Sequence, residues 1–404
     1  RSAEIDREVA HLGEIHATRR AARTIFLGAT PNVGSPNQGL GVDRIMLGSV
    51  FAGERPGPIT DALGRLRSTS PYLWVDHERY WFDVHQNVNR TARDEAVRFL
   101  AGDRGEIRAE VERRLRSERG TGDFKRVHVA PGTSDDVVDE AMARLVVLGS
   151  DNPHVANSDQ SSALEAARSI LDKRGNSPRQ YRNMLVFAAV DQTLLERLDE
   201  VTADYLAWSS ICERREELNL DAHQTTQAKN NETTSGDAVE LRIAEAYKYA
   251  LVPHQLEPSS PEIQFDVLSL DATGTVAERA SRKLVTTGSI QPQFASQILR
   301  ERLNGVLAPR WEEGHVKVSD LWEDFARYLY LPRLCGQDVL ISAVEQGPGS
   351  TTWQSDGFAT AVGYEDGKYL GLVGGADPGK LLPTALIVKP EIADPLLRST
   401  TEDG

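Results

Sequence analysis

The feature that most constrains the fold is a set of continuous apolar stretches separated by segments with helical periodicity. The clearest lie at residues 144–149 and 183–190, and a third predicted strand, at residues 125–130, includes Lys125, Arg126 and His128. Helices are expected between them, at 135–143 and 161–174. Strands that are apolar along their whole length are typical of parallel sheets covered on both faces. The sequence therefore predicts an α/β fold with a mostly parallel sheet flanked by helices.

Up to residue 251, the other segments are expected to be mainly helical, with a hairpin-like pair of strands near residue 77. Gly102 and Gly105 mark a weak point in a long charged helix. A Gly-rich loop is expected at 28–41, and a polar, mobile segment at 227–236. The remaining predicted elements are helices at 3–27, 58–67, 90–119, 192–218 and 237–251, and strands at 71–76 and 79–84.

Proline and serine enrichment at residues 253–261 predicts the main domain boundary. Three parts follow from it. Residues 1–57 form a helical segment with the Gly-rich loop, and residues 58–254 form an α/β unit with long helices. Residues 262–404 form an α+β unit, in which two helices broken at Pro332 precede a hairpin around Asp366 and Gly367. This order predicts a winged-helix-like end.

Charge and hydropathy restrict the partners. The chain has 404 residues, with 46 basic and 60 acidic side chains, for a net charge of −14. A field of this sign repels phosphate backbones and acidic membranes. The longest apolar runs are far shorter than a membrane span needs, and the two cysteines, without a secretory signal, favour the cytoplasm. The chain begins with Arg1 inside a helix-like pattern, so we expect it to be a piece of a longer protein.

A glycine-rich stretch at residues 374–380 has the residue spacing of a phosphate-binding loop up to Lys380. Leu381 stands where a magnesium-binding Ser or Thr belongs, and the following residues are strand-like and include Pro383. A phosphate loop needs a helix there, because the helix N-terminus faces the phosphates. We therefore predict a turn between strands.

Three arginines and one aspartate are the candidate site residues. Arg19, Arg20 and Arg23 lie in a stretch without acidic residues, before the Gly-rich loop, and could meet a phosphate as nucleotide-sensing arginines do. The alternative is a solvated face or ion pairs with Glu14 or Asp43. Asp191 follows an apolar strand, as the magnesium-binding acid of P-loop ATPases does, but an ordinary helix N-cap is the alternative.

The sequence predicts no metal site and no nucleophile–base pair. Nine histidines are scattered, and no HExxH, paired CxxC or GxSxG motif occurs. Charges of both signs interleave along residues 104–119, which favours a salt-bridged helix over a nucleic-acid contact.

Six stretches together resemble one family. They read RTIFLG, YLWVD, RYWF, YRNMLVF, YLAW and LWEDFARYLYLPR, at residues 23–28, 72–76, 79–82, 181–187, 205–208 and 321–333. As a set they resemble the large AAA-like P-loop ATPases of bacterial anti-phage defence islands, from about Arg19 to Val373. The resemblance implies a parent protein that binds ATP and magnesium, with its phosphate loop upstream of the matched stretches. This chain then is the C-terminal portion and binds no cofactor alone.

Three functional readings remain open. The first is an accessory portion that couples the nucleotide state of the ATPase to a partner, either another defence protein or a second copy. The second is a non-catalytic scaffold that binds protein or DNA. The third is an independent hydrolase whose site only the structure would reveal, through converging carboxylates or a His–nucleophile pair.

Overall fold

The structure is a computed structural model that describes residues 1–32, 38–70, 72–83 and 88–402. Part of the predicted Gly-rich loop, and the predicted strand ends Pro71 and Val84, lie outside the described residues. The chain divides into two compact units, each made of two stretches. Unit 1 comprises Arg1–Ile107 and Asp199–Val239, and unit 2 comprises Arg108–Leu198 and Glu240–Gly404.

The described elements include helices of four to 25 residues and strands of two to six residues. The helices are α1 (Ser2–Glu8), α2 (Ala10–Gly13), α3 (Ala17–Ala29), α4 (Val42–Ser49), α5 (Gly57–Thr69), α6 (Val88–Ala101), α7 (Gly105–Ser117), α8 (Ser162–Asp172), α9 (Gln192–Glu213), α10 (Ala222–Ala246), α11 (Val276–Thr287), α12 (Ser296–Asn304), α13 (Val318–Arg327), α14 (Gln337–Gln346), α15 (Trp353–Asp356) and α16 (Pro390–Glu402). The strands are β1 (Leu40–Gly41), β2 (Leu73–Asp76), β3 (Arg79–Phe82), β4 (Arg126–Val129), β5 (Arg144–Val147), β6 (Lys173–Arg174), β7 (Ser177–Pro178), β8 (Leu185–Ala189), β9 (Tyr249–His254), β10 (Gln264–Ser269), β11 (His315–Lys317), β12 (Ala359–Ala361), β13 (Gly363–Glu365), β14 (Lys368–Leu370) and β15 (Leu386–Val388).

Unit 2 contains the predicted α/β sheet. Its strand order is β10-β9-β8-β5-β4, and β4, β5 and β8 are parallel. Strand β9 pairs antiparallel with β8, and β10 pairs antiparallel with β9, so the sheet is mixed. Neighbouring side chains on one strand point to opposite faces, and Val186 and Phe187 of β8 are both fully buried. Both faces of the sheet centre are therefore covered, as continuous apolar strands predict.

The predicted boundary at residues 253–261 lies inside unit 2. It begins in β9 and ends before β10, which pair in register from Gln264 opposite His254 to Ser269 opposite Tyr249. The predicted helix at 237–251 is thus wrong in its last part, because α10 ends at Ala246 and β9 starts at Tyr249. Leu251 is opposite Phe187 in the sheet, so strand pairing replaces helical hydrogen bonds there.

The predicted helix at 135–143 is also wrong. Only a single 3₁₀ turn forms, at Ser134–Asp136, closed by a capping box with Thr133. The buried Arg179 guanidinium donates to the carbonyls of Ser134 and Val137 at 3.2 and 3.0 Å. Those carbonyls are the acceptors that a continuing helix would use for its own amides, so a side chain distant in sequence ends the helix.

The predicted mobile segment at 227–236 is helical instead. It lies within α10, where Ala228 is buried. Hydroxyl side chains on this stretch donate to the carbonyls four residues earlier, as Thr233 does to Lys229 and Thr234 to Asn230. This local bonding satisfies polar side chains inside a helix, which composition alone does not reveal.

Unit 1 begins with three helices rather than the single predicted one. The chain bends at Val9 and at His16, which has a left-handed backbone (φ 53). The buried carboxylate of Asp6 accepts the backbone N–H of Thr18 at 2.9 Å and of Arg19 at 3.2 Å. Asp6 therefore caps the start of α3 from outside that helix.

Two other predictions for unit 1 are confirmed. Strands β2 and β3 pair around His77 and Glu78, which both have positive φ, as a tight hairpin turn requires. The long charged helix breaks between α6 and α7, between Gly102 and Gly105. In unit 2, α7 carries the expected salt bridges, such as Arg116 to Glu112 at 2.9 Å.

The last part of unit 2 pairs short strands with helices. Helices α13 and α14 flank Pro332, as predicted, and β13 and β14 form the predicted hairpin at Asp366 and Gly367. The first strand of this hairpin is predicted as one strand, at residues 358–364. In the structure it is divided into β12 and β13, because β12 pairs with β15 in a separate sheet of order β11-β15-β12. A winged-helix arrangement is not confirmed. Across the described ranges, no helix is both long enough and apolar enough to cross a bilayer.

Candidate functional site

A buried polar cluster of unit 2 lies at the carboxyl ends of the parallel strands. In open α/β sheets this edge is where ligands bind. Asp191 follows β8 directly, and its Oδ1 accepts the Thr193 backbone N–H at 2.8 Å and the Thr193 hydroxyl at 2.7 Å. These are the contacts of a helix N-cap at the start of α9.

The second carboxylate oxygen of Asp191 is also in use. The Tyr249 hydroxyl donates to Oδ2 at 3.1 Å, and the Lys248 ammonium lies 3.7 Å away. Burial acts to raise the pKa of Asp191, but the hydrogen bonds from Thr193 and Tyr249 outweigh it and the pKa lies below its usual value. Burial and the bond to Asp191 raise the pKa of Tyr249. Asp191 is therefore a stably charged acceptor at neutral pH.

A histidine and a serine join the same cluster. His154 runs alongside the end of β8, where its N–H donates to Val190 and its carbonyl accepts from Gln192. Its ring Nδ1 lies 3.0 Å from Ser161 Oγ, and the ring packs edge-on against Tyr249 with centroids 4.8 Å apart. Burial lowers the pKa of His154, and the charge of Asp191 opposes this effect.

These residue types are those of a hydrolase with a serine nucleophile, but their environment fits another role. His154 is 1% exposed and Ser161 is 6% exposed, so neither offers a surface to a substrate. Ser161 Oγ also accepts the Leu164 N–H at 3.3 Å and so caps α8. The cluster holds the starts of α8 and α9 against the end of β8.

Comparison of the chain with protein-family models, with curated proteins and with solved structures found no match. The resemblance to AAA-like ATPases of defence islands stays a prediction. Within the described ranges, no group of three or more His, Cys, Asp or Glu side chains is placed to hold a metal ion.

Two of the three candidate arginines form ion pairs in unit 1. The Arg19 guanidinium lies 3.2 Å from Asp6, and Arg20 makes two hydrogen bonds to Glu54, at 2.7 and 2.8 Å. The Arg20 guanidinium also lies over the Phe51 ring, 4.2 Å from its centroid. The hydrogen bond from Arg20 is the largest of the effects that lower the pKa of Glu54 to about 2. Both arginines thus form ion pairs, but with Asp6 and Glu54 and not with the expected Glu14 or Asp43.

Arg23 differs from the other two. Its side chain is exposed and makes no hydrogen bond or ion pair with any other residue that the structure describes. It lines an open cleft of about 480 Å³ together with Phe26 of α3 and Phe82 of β3. The two phenylalanine rings are 6.4 Å apart, centroid to centroid. A free guanidinium beside the exposed Phe26 ring and the partly buried Phe82 ring can contact both a phosphate and a planar base.

The loop that imitates a phosphate-binding site joins β14 to β15, as the sequence predicts. Two of its amides have partners within unit 2. Gly375 N donates to Pro348 at 2.9 Å, and Gly379 N donates to Asp377 Oδ1 at 2.8 Å. A phosphate loop needs its amides free and a helix behind them, whereas β15 is the next element after this loop.

His128 on β4 should make stability depend on pH. Burial, with the charges of Arg144 and Arg126, lowers the pKa of His128 to about 4, below its unfolded value of about 6.5. Between these values the unfolded chain binds a proton that the native state does not, so the free energy of unfolding falls as pH falls. With the partial exposure of the ring taken into account, we expect a loss of about 1–2 kcal/mol.

Urea unfolding at neutral pH and near pH 5 measures this loss. His128→Gln should remove that part of the pH dependence, whereas His77→Asn, at an exposed turn, should keep it. Equal pH dependence in the wild type and in His128→Gln would contradict the assignment.

Proposed function

We propose that this chain is an accessory, regulatory portion of an ATP-binding protein of the AAA-like P-loop kind, active in bacterial anti-phage defence. In this role it couples the nucleotide state of that protein to a bound partner. ATP and magnesium are then held by the parent protein, and the chain is not itself a self-sufficient hydrolase. The resemblance of the six sequence stretches supports this proposal, together with the α/β architecture of unit 2.

The observation that carries the proposal is the state of Arg23. Of the three arginines before the Gly-rich loop, it is the one without an ion pair among the described residues, and it stands at an open cleft beside Phe26 and Phe82. An exposed side chain of this kind can complete a nucleotide site that belongs to another part of the protein. By contrast, Asp191, at the edge where an α/β sheet would bind its own nucleotide, is buried and hydrogen-bonded to Thr193 and Tyr249.

The test compares the chain with the parent protein. For this chain alone we expect no ATP turnover and only weak binding of a fluorescent ATP analogue. In the parent protein, Arg23→Ala should lower ATP turnover by about tenfold or more, because arginine contacts to a transferring phosphate have effects of this size or larger. Steady-state phosphate release and analogue binding measure both quantities.

Arg44→Ala is the matched control, since Arg44 is exposed on α4 and has no ion pair among the described residues. It changes the net charge equally and should leave turnover unchanged. Unchanged turnover and nucleotide affinity in Arg23→Ala, or ATP hydrolysis by the isolated chain at enzymatic rates, would overturn the proposal.

A second candidate is a non-catalytic scaffold that binds protein or DNA through a winged-helix-like end. Helices α13 and α14 followed by the β13–β14 hairpin support this alternative. The hairpin carries Glu365 and Asp366, beside a single lysine, Lys368. Because acidic side chains repel the phosphate backbone, a protein partner fits this end better than DNA.

A further inference from the structure

A pocket of about 790 Å³ opens on unit 2, at a place that no sequence motif marks. Its walls come from the residues before β4, from the segment before β5, from Trp322 of α13 and from the start of α14. The volume exceeds that of a single side chain and falls within the usual range of ligand sites. The pocket is thus large enough for several residues of an extended peptide.

Negative charge dominates the lining. Four acidic residues face one lysine, Lys125, around the pocket; they are Asp123, Asp139, Glu140 and Asp338. The N-terminus of α14 adds about half a positive charge, which Asp338 in its first turn offsets. Arg144 pairs with Glu140, and Arg179 lies 3.9 Å from Asp139, so these two carboxylates are balanced. Asp123 and Asp338 still outnumber Lys125, and the overall charge of −14 adds to the attraction for cations.

The acidic side chains differ in how far other contacts occupy them. Asp139 accepts the backbone N–H groups of Gln180 and Tyr181, so both of its oxygens are in use. Glu140 pairs with Arg144 through one oxygen and keeps the other free of hydrogen bonds to described residues. Asp338 is exposed and its carboxylate has no hydrogen-bond partner within the described ranges. Glu140 and Asp338 can therefore accept hydrogen bonds from a ligand.

An independent observation comes from the aromatic lining. Trp322 lines the pocket, is only 6% exposed, and its indole N–H has no hydrogen-bond partner among the described residues. The nitrogen itself keeps some exposure, so it can donate to a ligand that brings an acceptor. Tyr181 is the second aromatic wall, and its hydroxyl is held by Glu323 at 3.1 Å.

We propose that this pocket binds an arginine-containing basic segment of a partner protein. A guanidinium can stack on the partly exposed Tyr181 and donate to Glu140 or Asp338, while a peptide carbonyl can accept the Trp322 indole N–H. A simple cation would leave that donor unused, and a nucleic acid has the wrong charge. The inference deepens the proposed function by giving the chemistry of the partner, and it does not depend on nucleotide binding.

The test uses the whole chain and a fluorescein-labelled peptide of alternating glycine and arginine. Anisotropy at about 0.1 M salt should show binding that a glutamate peptide of equal length does not show. Asp338→Asn should weaken binding by about 3–10-fold, because it removes a charge-assisted acceptor. Lys125→Gln should strengthen binding by about threefold, because it removes the one repelling charge of the lining.

The β13–β14 hairpin supplies matched controls. Glu365→Gln and Lys368→Gln change the net charge by the same amounts at exposed positions outside the pocket, and each should alter affinity by less than about twofold. Trp322→Phe keeps an aromatic ring but removes the donor, and should weaken binding by about threefold, with circular dichroism to verify folding.

Three results would overturn the inference. They are no binding at millimolar peptide, equal effects of the pocket and control variants, and displacement of the peptide by magnesium at constant ionic strength but not by acetyl-arginine amide. The two proposals can fail separately. If the peptide binds but Arg23→Ala leaves ATP turnover unchanged, the peptide-binding pocket stands and the nucleotide role is rejected.

Discussion

Replacing Arg333 by methionine is expected to lower the free energy of unfolding by about 3–5 kcal/mol. The Arg333 guanidinium is buried and donates to the backbone carbonyls of Asn183, of Ser289 at 3.2 Å and of Pro253 at 2.9 Å. Burial lowers the pKa of Arg333 to about 10, so the group stays charged at neutral pH. Methionine fills a similar volume but leaves three buried carbonyls without a donor.

The three carbonyls belong to separate parts of unit 2. Asn183 precedes β8, Pro253 lies in β9, and Ser289 follows α11. The amide of Asn183 in turn donates to Phe325 at 2.8 Å and to Leu331 at 3.2 Å. Arg333 therefore joins the sheet to the segment after α13, and its loss should affect the whole unit.

Urea unfolding followed by circular dichroism measures the change for Arg333. Arg333→Lys should lower the free energy of unfolding by less, since an ammonium keeps the charge and reaches some of the acceptors. Arg302→Met, at an exposed position of α12 without a side-chain partner among the described residues, should change stability by less than about 0.5 kcal/mol. A loss below about 1 kcal/mol for Arg333→Met would show that the carbonyls find water or other donors.

The second large effect is expected for Asp191→Ala, at about 2–3 kcal/mol. Loss of an N-cap costs about 1 kcal/mol, and leaving the Tyr249 hydroxyl buried without an acceptor adds about 1–2 kcal/mol. Tyr249→Phe alone should cost about 1 kcal/mol. In a double-mutant cycle the two changes should not add, because each removes the same 3.1 Å hydrogen bond.

The same variant separates the two readings of Asp191. If Asp191 is an N-cap, Asp191→Ala should lower the urea midpoint, and magnesium should not alter the unfolding of the wild type. If Asp191 is a magnesium ligand, Asp191→Ala should change stability little without magnesium. Magnesium should then stabilise the wild type but not Asp191→Asn. Thermal unfolding with and without magnesium decides between them.

Local patterns were enough to predict much of the fold. The strands near 144 and 185 were predictable because they are apolar along almost their whole length, which only a sheet covered on both faces can bury. Strand β4 instead alternates Val127 and Val129 with Arg126 and His128, and none of its four residues is fully buried. Both hairpins were predictable from turn residues such as Asp366 and Gly367. Asp191 could be recognised as an N-cap because its partner Thr193 is only two residues away.

Contacts between distant residues decided what could not be predicted. Arg179 captures carbonyls near residue 135 and prevents a helix that local propensity favours. The pairing of Leu251 with Phe187 turns the end of a predicted helix into a strand. His154 and Ser161 meet at Asp191 because the chain runs alongside the end of β8, and no spacing motif marks such an approach.

The division of unit 1 into two stretches matters for how the protein is made. The apolar side of α6, with Ala92, Ala96 and Phe99, is covered by Ala203 and Ala207 of α9, together with Ala228 of α10. At ~5–20 residues per second, a ribosome needs roughly 5–18 s to add the intervening residues 108–198. During that interval the nascent helix lacks this native cover, so we expect depletion of chaperones to lower the yield of folded protein.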